Sequence, residues 1–240
     1  MAIKPILFNT EMVKAILDGR KTQTRRIIKP QPTNPRRNNI SWLGWDDGHG
    51  YRMKIPCEAG DILWVRETWS EMPYGYVYRA DDENPAGWDA GDRWHPSIHM
   101  PKEAARIFLR VRNVWPVRLQ DISHFDSLNE GIAHLYDNLS DAEYESWASR
   151  SGYPGKEKSE WPYINYLWHG HFGSCGTGNR ISDAWPYQFS SYESPRDSFS
   201  SLWNSTVPLK DWEEYGWDAN PWVWMIQFER CEKPEGWCCE

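Results

Sequence analysis

One stretch of this chain alternates at a period of two, and that pattern commits it to a sheet. From Arg106 to Val114, Ile107, Leu109 and Val111 fall on one face, with Phe108, Arg110 and Arg112 on the other, as in a half-buried strand. Trp222 to Phe228 reads as the last strong strand, with Trp222, Trp224, Ile226 and Phe228 on one face. Ile62-Leu63-Trp64-Val65, introduced by a Gly60-Asp61 turn, reads as a further strand. Between such segments the period changes. Met12, Val13, Ile16 and Leu17 form a stripe at helical spacing, with Thr10 as cap and Glu11 in the first turn. Asp18-Gly19 ends that helix, because glycine accepts the left-handed conformation that follows a last turn. Ser123-His124-Phe125-Asp126 has capping-box spacing and starts a second helix with Phe125, Leu128, Ile132 and Leu135 as its apolar face; Glu130 lies off that stripe. Strands separated by short helices predict an α+β fold, its sheet curled or closed into a small β-barrel with helices at the ends.

The connections are long. Pro30 to Ile40 reads as a loop, 71–101 as a decorated connection rich in Gly, Pro, Asp and Trp, and 137–198 as an insertion of short helices and loops. The 17 tryptophans can supply much of the core, and an indole also stacks on bases. No run of about 18 apolar residues suggests a membrane span, and Met1 to Thr10 lacks the apolar stretch of a secretory signal. The five cysteines are an odd set crowded toward one end, which is no disulfide framework, so a cytoplasmic, reducing location is expected. His169, His171 and Cys175 offer zinc donors without an evident fourth, even counting the cysteines of the tail. No Gly-rich phosphate loop, nucleophile elbow or HExxH occurs. Neither a metal nor a cofactor is expected.

Net charge is −7, which argues against a general coat for duplex DNA. The distribution is uneven. Residues 1–40 hold nine Lys and Arg against Glu11 and Asp18, a local +7 that leaves −14 on the other 200 residues. A basic segment on an acidic body points to a localised anion site, or to a solvated basic segment paired with acidic neighbours.

Four stretches carry a resemblance: Leu17-Asp18-Gly19-Arg20-Lys21-Thr22-Gln23-Thr24-Arg25-Arg26, then Gly60 to Trp69, then Asp121-Ile122-Ser123 through Asn129-Glu130-Gly131-Ile132, then Asn220 to Trp224. In this order they resemble the ASCH family, related to PUA RNA-binding domains, and in particular its longer members in phages and prophages. The resemblance implies one PUA-like domain over 1–240, with core segments 3–30, 58–70, 98–135 and 199–230 and insertions at 71–97 and 137–198. It also implies a cleft and a role around RNA or modified nucleosides. One branch of the family consists of small amidohydrolases that remove the acyl group from N4-acetylcytidine. Their lysine, threonine and glutamate correspond to Lys21, Thr24 and Glu130 of this chain.

Amide hydrolysis needs a nucleophile, a base and an acid for the departing nitrogen. Thr24 would need Lys21 as its base, and Lys21 can serve only when neutral, which burial and neighbouring cations such as Arg20, Arg25 and Arg26 favour. On a regular strand, residues three apart point to opposite faces, so a bend is expected between Arg20 and Thr24. Arg20 and Arg26 would orient the substrate. Arg66 and Glu67 would form a cleft-lining ion pair with Trp69 as a stacking indole; the ordinary alternative is a surface salt bridge and a core tryptophan. Three functions stay open: an N4-acylcytidine amidohydrolase, a non-catalytic module binding RNA or modified nucleic acid, and a phage interaction protein that engages a host protein through 137–198.

Overall fold

A computed structural model describes residues 1–37, 44–89, 91–134, 163–164, 191–192 and 194–237. The chain forms two compact units, Met1–Val117 with Trp222–Glu240, and Arg118–Pro221. The fold is α+β.

The first unit is organised by a five-stranded sheet of β1 (Ile3–Leu7), β2 (Gln23–Ile27), β5 (Ile62–Arg66), β8 (Phe108–Arg118) and β11 (Trp222–Cys231) in the order β1-β5-β8-β11-β2. β1 runs parallel to β5, whereas β5–β8 and β11–β2 are antiparallel. β8 and β11 are inner strands. Burial explains their sequences: Leu109 and Val111 are sealed within β8, and in β11 Val223 and Met225 are buried as fully as Trp224, Ile226 and Phe228. β5 is likewise covered on both faces. Its Ile62 and Trp64 pack with Met100, Ala104, Ala105 and Phe108 under Trp237, whose ring meets Phe108 edge-on at 5.1 Å.

The expected barrel is corrected to an open sheet. β1 and β2 are its edges and are not paired as strands. β1 has only β5 beside it, and Pro5 in its middle has no N–H to offer another strand. The two edges meet instead through a side chain, the Arg26 guanidinium donating to the Leu7 carbonyl at 2.7 Å.

Helix α1 (Thr10–Leu17) joins β1 to β2 and buries Met12, Val13, Ala15 and Ile16. Its cap is Asn9, one residue earlier than expected, whose Oδ1 accepts from Met12 N at 2.9 Å. Gly19 has φ +75°, as its place after the helix requires. Between β2 and β5 lie the short strands β3 (Arg36–Arg37) and β4 (Trp45–Asp46). The segment read as a loose connection from residue 71 contains the hairpin β6 (Trp69–Met72) and β7 (Gly75–Tyr78).

In the second unit, α2 (His124–Asn129) carries the anticipated capping box between Ser123 and Asp126. It stops after six residues, because Gly131 (φ +92°) turns the chain. The predicted apolar face therefore fails in part: Phe125 is 76% exposed, and Ile132 is buried beyond the helix, not on it. The unit also contains β9 (Tyr163–Ile164), β10 (Ser191–Tyr192), α3 (Pro195–Thr206) and α4 (Trp212–Tyr215). Trp203 Nε1 donates to the Tyr215 carbonyl, fixing α3 against α4. Asn220 (φ +47°) accepts from Gln120 N through its side chain. Leu135 and most of the 137–198 insertion lie outside the described residues, as do His169, His171, Cys175, Cys238 and Cys239. No described helix is long and apolar enough to cross a membrane. Among the described residues no three His, Cys, Asp or Glu gather as metal donors.

Candidate functional site

The basic segment leaves α1 at Gly19 and enters β2 at Gln23, so Lys21 precedes the strand and Thr24 lies in it. The chain turns at Asp18-Gly19, ahead of the bend expected between Arg20 and Thr24, and no strand runs through both Lys21 and Thr24. Lys21 N donates to Ala15 O of the helix at 3.0 Å, and Thr22 O accepts from Phe228 N of β11 at 2.9 Å. These bonds switch the chain from helix to sheet within two residues. Lys21 is 4% exposed and Thr24 3%.

Phe8, buried at the end of β1, connects the basic residues. Lys21 Nζ stands 5.5 Å from its ring centroid and Arg26 Cζ 5.0 Å, so one ring serves two cations. Such contacts are worth about 0.5–1 kcal/mol each, more where water is excluded. Phe228 of β11 lies 6.3 Å from the same ring. Thr24 is the register partner of Ile226 and shares a face with Arg26, two residues along. Arg26 and Ile226 line a groove of about 340 Å³ between the edge strands, together with Lys4, Ile6, Leu7 and Leu63. Its far wall is Pro56-Cys57. Arg26 thus brings the motif to a largely apolar groove that two cations line.

Lys4 is the second cation, and it is held. Its Nζ donates to Pro56 O at 3.1 Å and pairs with Asp61 at 3.2 Å. Burial works to raise the Asp61 carboxyl, but the Ala2 and Glu58 amides and Lys4 overcome it, so it lies below the usual carboxylate range. Burial pushes the Cys57 thiol up to about 11, which makes it a poor nucleophile at neutral pH.

Arg20 pairs with Asp18 at 3.0 Å on the surface just past α1. The pairing expected between Arg66 and Glu67 does not form. Arg66 donates to the carbonyls of Ile98 and Met100 and lies over Trp64. Glu67, 1% exposed, receives two bonds of 2.9 Å from Arg106. Successive strand residues point to opposite faces, which is why Arg66 and Glu67 part. Arg106 also reaches Asp81 at 2.6 Å and stacks over Tyr78 at 3.8 Å. Burial pushes the Glu67 carboxyl up against the pull of Arg106. Trp69 packs at 5.6 Å against Tyr76 and 5.0 Å against His95, with its indole N–H buried without an acceptor. Glu67 and Trp69 therefore belong to the hairpin's attachment. Glu130, directly after α2, is 2% exposed and is carried by the second unit.

Sequence reasoning missed Phe8, the groove and Arg106. Phe8 lacked a periodic partner, and the groove exists only where β1 and β2 approach. Arg106 stands 39 residues from Glu67, with no local signal joining them.

No family model, curated protein or solved structure matches this chain. What the site can do is therefore argued from its residues.

Proposed function

We propose that the chain is an ASCH-type protein directed at nucleosides or modified bases, and that it hydrolyses an acylated exocyclic amine of cytidine. In this reading the sheet is a PUA-like barrel left open between β1 and β2, with the groove as the route to the motif. Thr24 Oγ1 attacks the acyl carbonyl and Lys21 takes its proton. The C–N bond breaks as Lys21 passes that proton on to the departing amine, and water then cleaves the acyl ester on Thr24 to return the hydroxyl and release a carboxylic acid. Arg26 at the groove rim orients the substrate's carbonyl or phosphate oxygens.

The observation that carries the reading is the burial of Lys21. A lysine that only neutralised the end of α1 would sit in solvent, as Arg20 does beside Asp18. Lys21 is instead buried, its Nζ 5.5 Å from the Phe8 ring centroid, just ahead of the strand that carries Thr24.

Chromatography of N4-acetylcytidine incubated with the protein tests this. Wild type releases cytidine and Lys21→Ala releases none. Absence of product from wild type at high enzyme concentration rejects the hydrolase and leaves nucleoside binding, measured by calorimetry, as the function of the site.

A further inference from the structure

Between β2 and β5 stand four cationic side chains, Arg36, Arg37, Arg52 and Lys54, for which no bond occurs among the described residues. β3 pairs with β4 so that Arg36 faces Asp46, and Asp46 in turn bridges to Arg52. Those three residues stand abreast on one face, and Lys54 follows Arg52 by two residues in the chain. The opposite face is turned inward: Met53, whose N–H donates to Trp45 O at 2.8 Å, is buried. Arg36, Arg37, Arg52 and Lys54 are all exposed, and among the described residues none of them forms an ion pair or a hydrogen bond. Three other arginines of the unit are paired, Arg20 with Asp18, Arg79 with Glu83 and Arg112 with Glu229.

The two local acids are engaged within the turn. Asp46 Oδ1 accepts from Gly48 N, and Asp47 Oδ1 accepts from the N–H groups of His49 and Tyr51. Four cations against two carboxylates leave this small element positive on a protein of net charge −7. Tyr51, at the tip, is 75% exposed.

The chain itself ties this face to the groove. Lys54 precedes the groove wall Pro56 by two residues, at most about 7 Å of extended backbone. The same connection leaves β2 just after Arg26, which lines the groove's other side.

We propose that the face formed by Arg36, Arg52 and Lys54 binds the sugar-phosphate backbone of a single-stranded nucleic acid, so that the substrate is a base within a strand. Unpaired arginine forks suit phosphate oxygens. A short cationic row with one exposed aromatic ring suits a flexible strand better than a duplex, which needs a broader basic surface. The choice of nucleic acid as the polyanion rests on the nucleoside-directed reading of the groove; the free cations do not.

The test is fluorescence polarisation of a labelled single-stranded oligoribonucleotide across a range of salt, with wild type and an R36A/R52A/K54A variant. The variant is expected to bind about tenfold or more weakly, with a dependence of log K on log salt shallower by about 2. An R36K/R52K variant keeps most of the affinity. Equal affinity and equal slope in wild type and the triple variant overturn the proposal. So does polyglutamate that competes as well as RNA, which would make an acidic protein the partner. Cytidine release from N4-acetylcytidine, followed on the same preparations, separates the two claims. Unchanged release without oligonucleotide binding retains the hydrolase and rejects the strand site. Binding lost only in the triple variant, with no release from wild type, retains the strand site and rejects the hydrolase.

Discussion

Two small antiparallel elements decorate the first unit, and they use their charges in opposite ways. The β6–β7 hairpin is attached through a closed set: Glu67 accepts from Nε and Nη2 of Arg106, Nη1 of Arg106 donates to Asp81, and Tyr78 stacks on the guanidinium with its hydroxyl donating to Ala104 O. The β3–β4 element leaves Arg36, Arg37, Arg52 and Lys54 open to solvent. Closed charges have been desolvated and must remain partnered, so they act on stability. Open ones have lost little hydration and remain free to meet an external anion. Charge count alone does not distinguish them; burial of the partner does.

The largest effect that could break this comparison is at Glu67. Glu67→Ala leaves Arg106 partly buried with only an exposed aspartate beside it, and should cost about 3 kcal/mol, read from urea unfolding. A cost under about 1 kcal/mol would mean that the hairpin is not held by this pair. Oligonucleotide binding should not change in this variant while it is folded.

Next comes Asp61, which ties the start of β5 to residue 2 and to Lys4. Asp61→Asn should cost about 1.5 kcal/mol near neutral pH, because hydrogen bonds to a charged acceptor are among the stronger ones. The sign follows from its lowered carboxyl. The contribution is fully present above the ordinary aspartate value near 3.9 and is lost as pH falls through the depressed folded value. Wild type and variant should therefore converge in acid. Unfolding curves that stay parallel down to strongly acid pH would show that Asp61 is not the group responsible.

How much of this was legible beforehand depends on how local each determinant is. The strands β5, β8 and β11 were readable, β8 from its period of two and β5 and β11 from short apolar runs that a strand buried on both faces requires. So was the stop at Gly19, which follows from a single-residue backbone preference. The open edge between β1 and β2 was not, because whether a curled sheet closes depends on strands that meet only in three dimensions. Phe125 misled for a related reason: helical spacing was read through Gly131, where the backbone had already turned. The partner of Glu67 was misassigned to its neighbour Arg66, since sequence proximity hides that adjacent strand residues face apart. Arg36-Arg37 was seen only as part of a loop, because nothing in a dipeptide reveals whether carboxylates will reach it.

Asp81 sharpens the comparison at lower amplitude. Its side chain is about half exposed, so its bond to Arg106 is screened by water although it is short. Asp81→Asn should change stability by less than about 0.5 kcal/mol. A larger loss would place Asp81 among the closed charges and shift part of the attachment from Glu67 to the surface.

The smallest stability effect is expected in the open element, and it discriminates most. Arg36→Ala and Arg52→Ala remove side chains that touch no carboxylate among the described residues, so urea midpoints should move within about 0.5 kcal/mol of wild type. Removing a cation from a row of like charges relieves repulsion, which favours zero or a slight gain over a loss, and added salt should shrink even that difference. The same substitutions should weaken oligonucleotide binding. If they instead destabilise the fold by 1 kcal/mol or more, Arg36 and Arg52 hold their own element together through Asp46, and the two elements would differ in degree only.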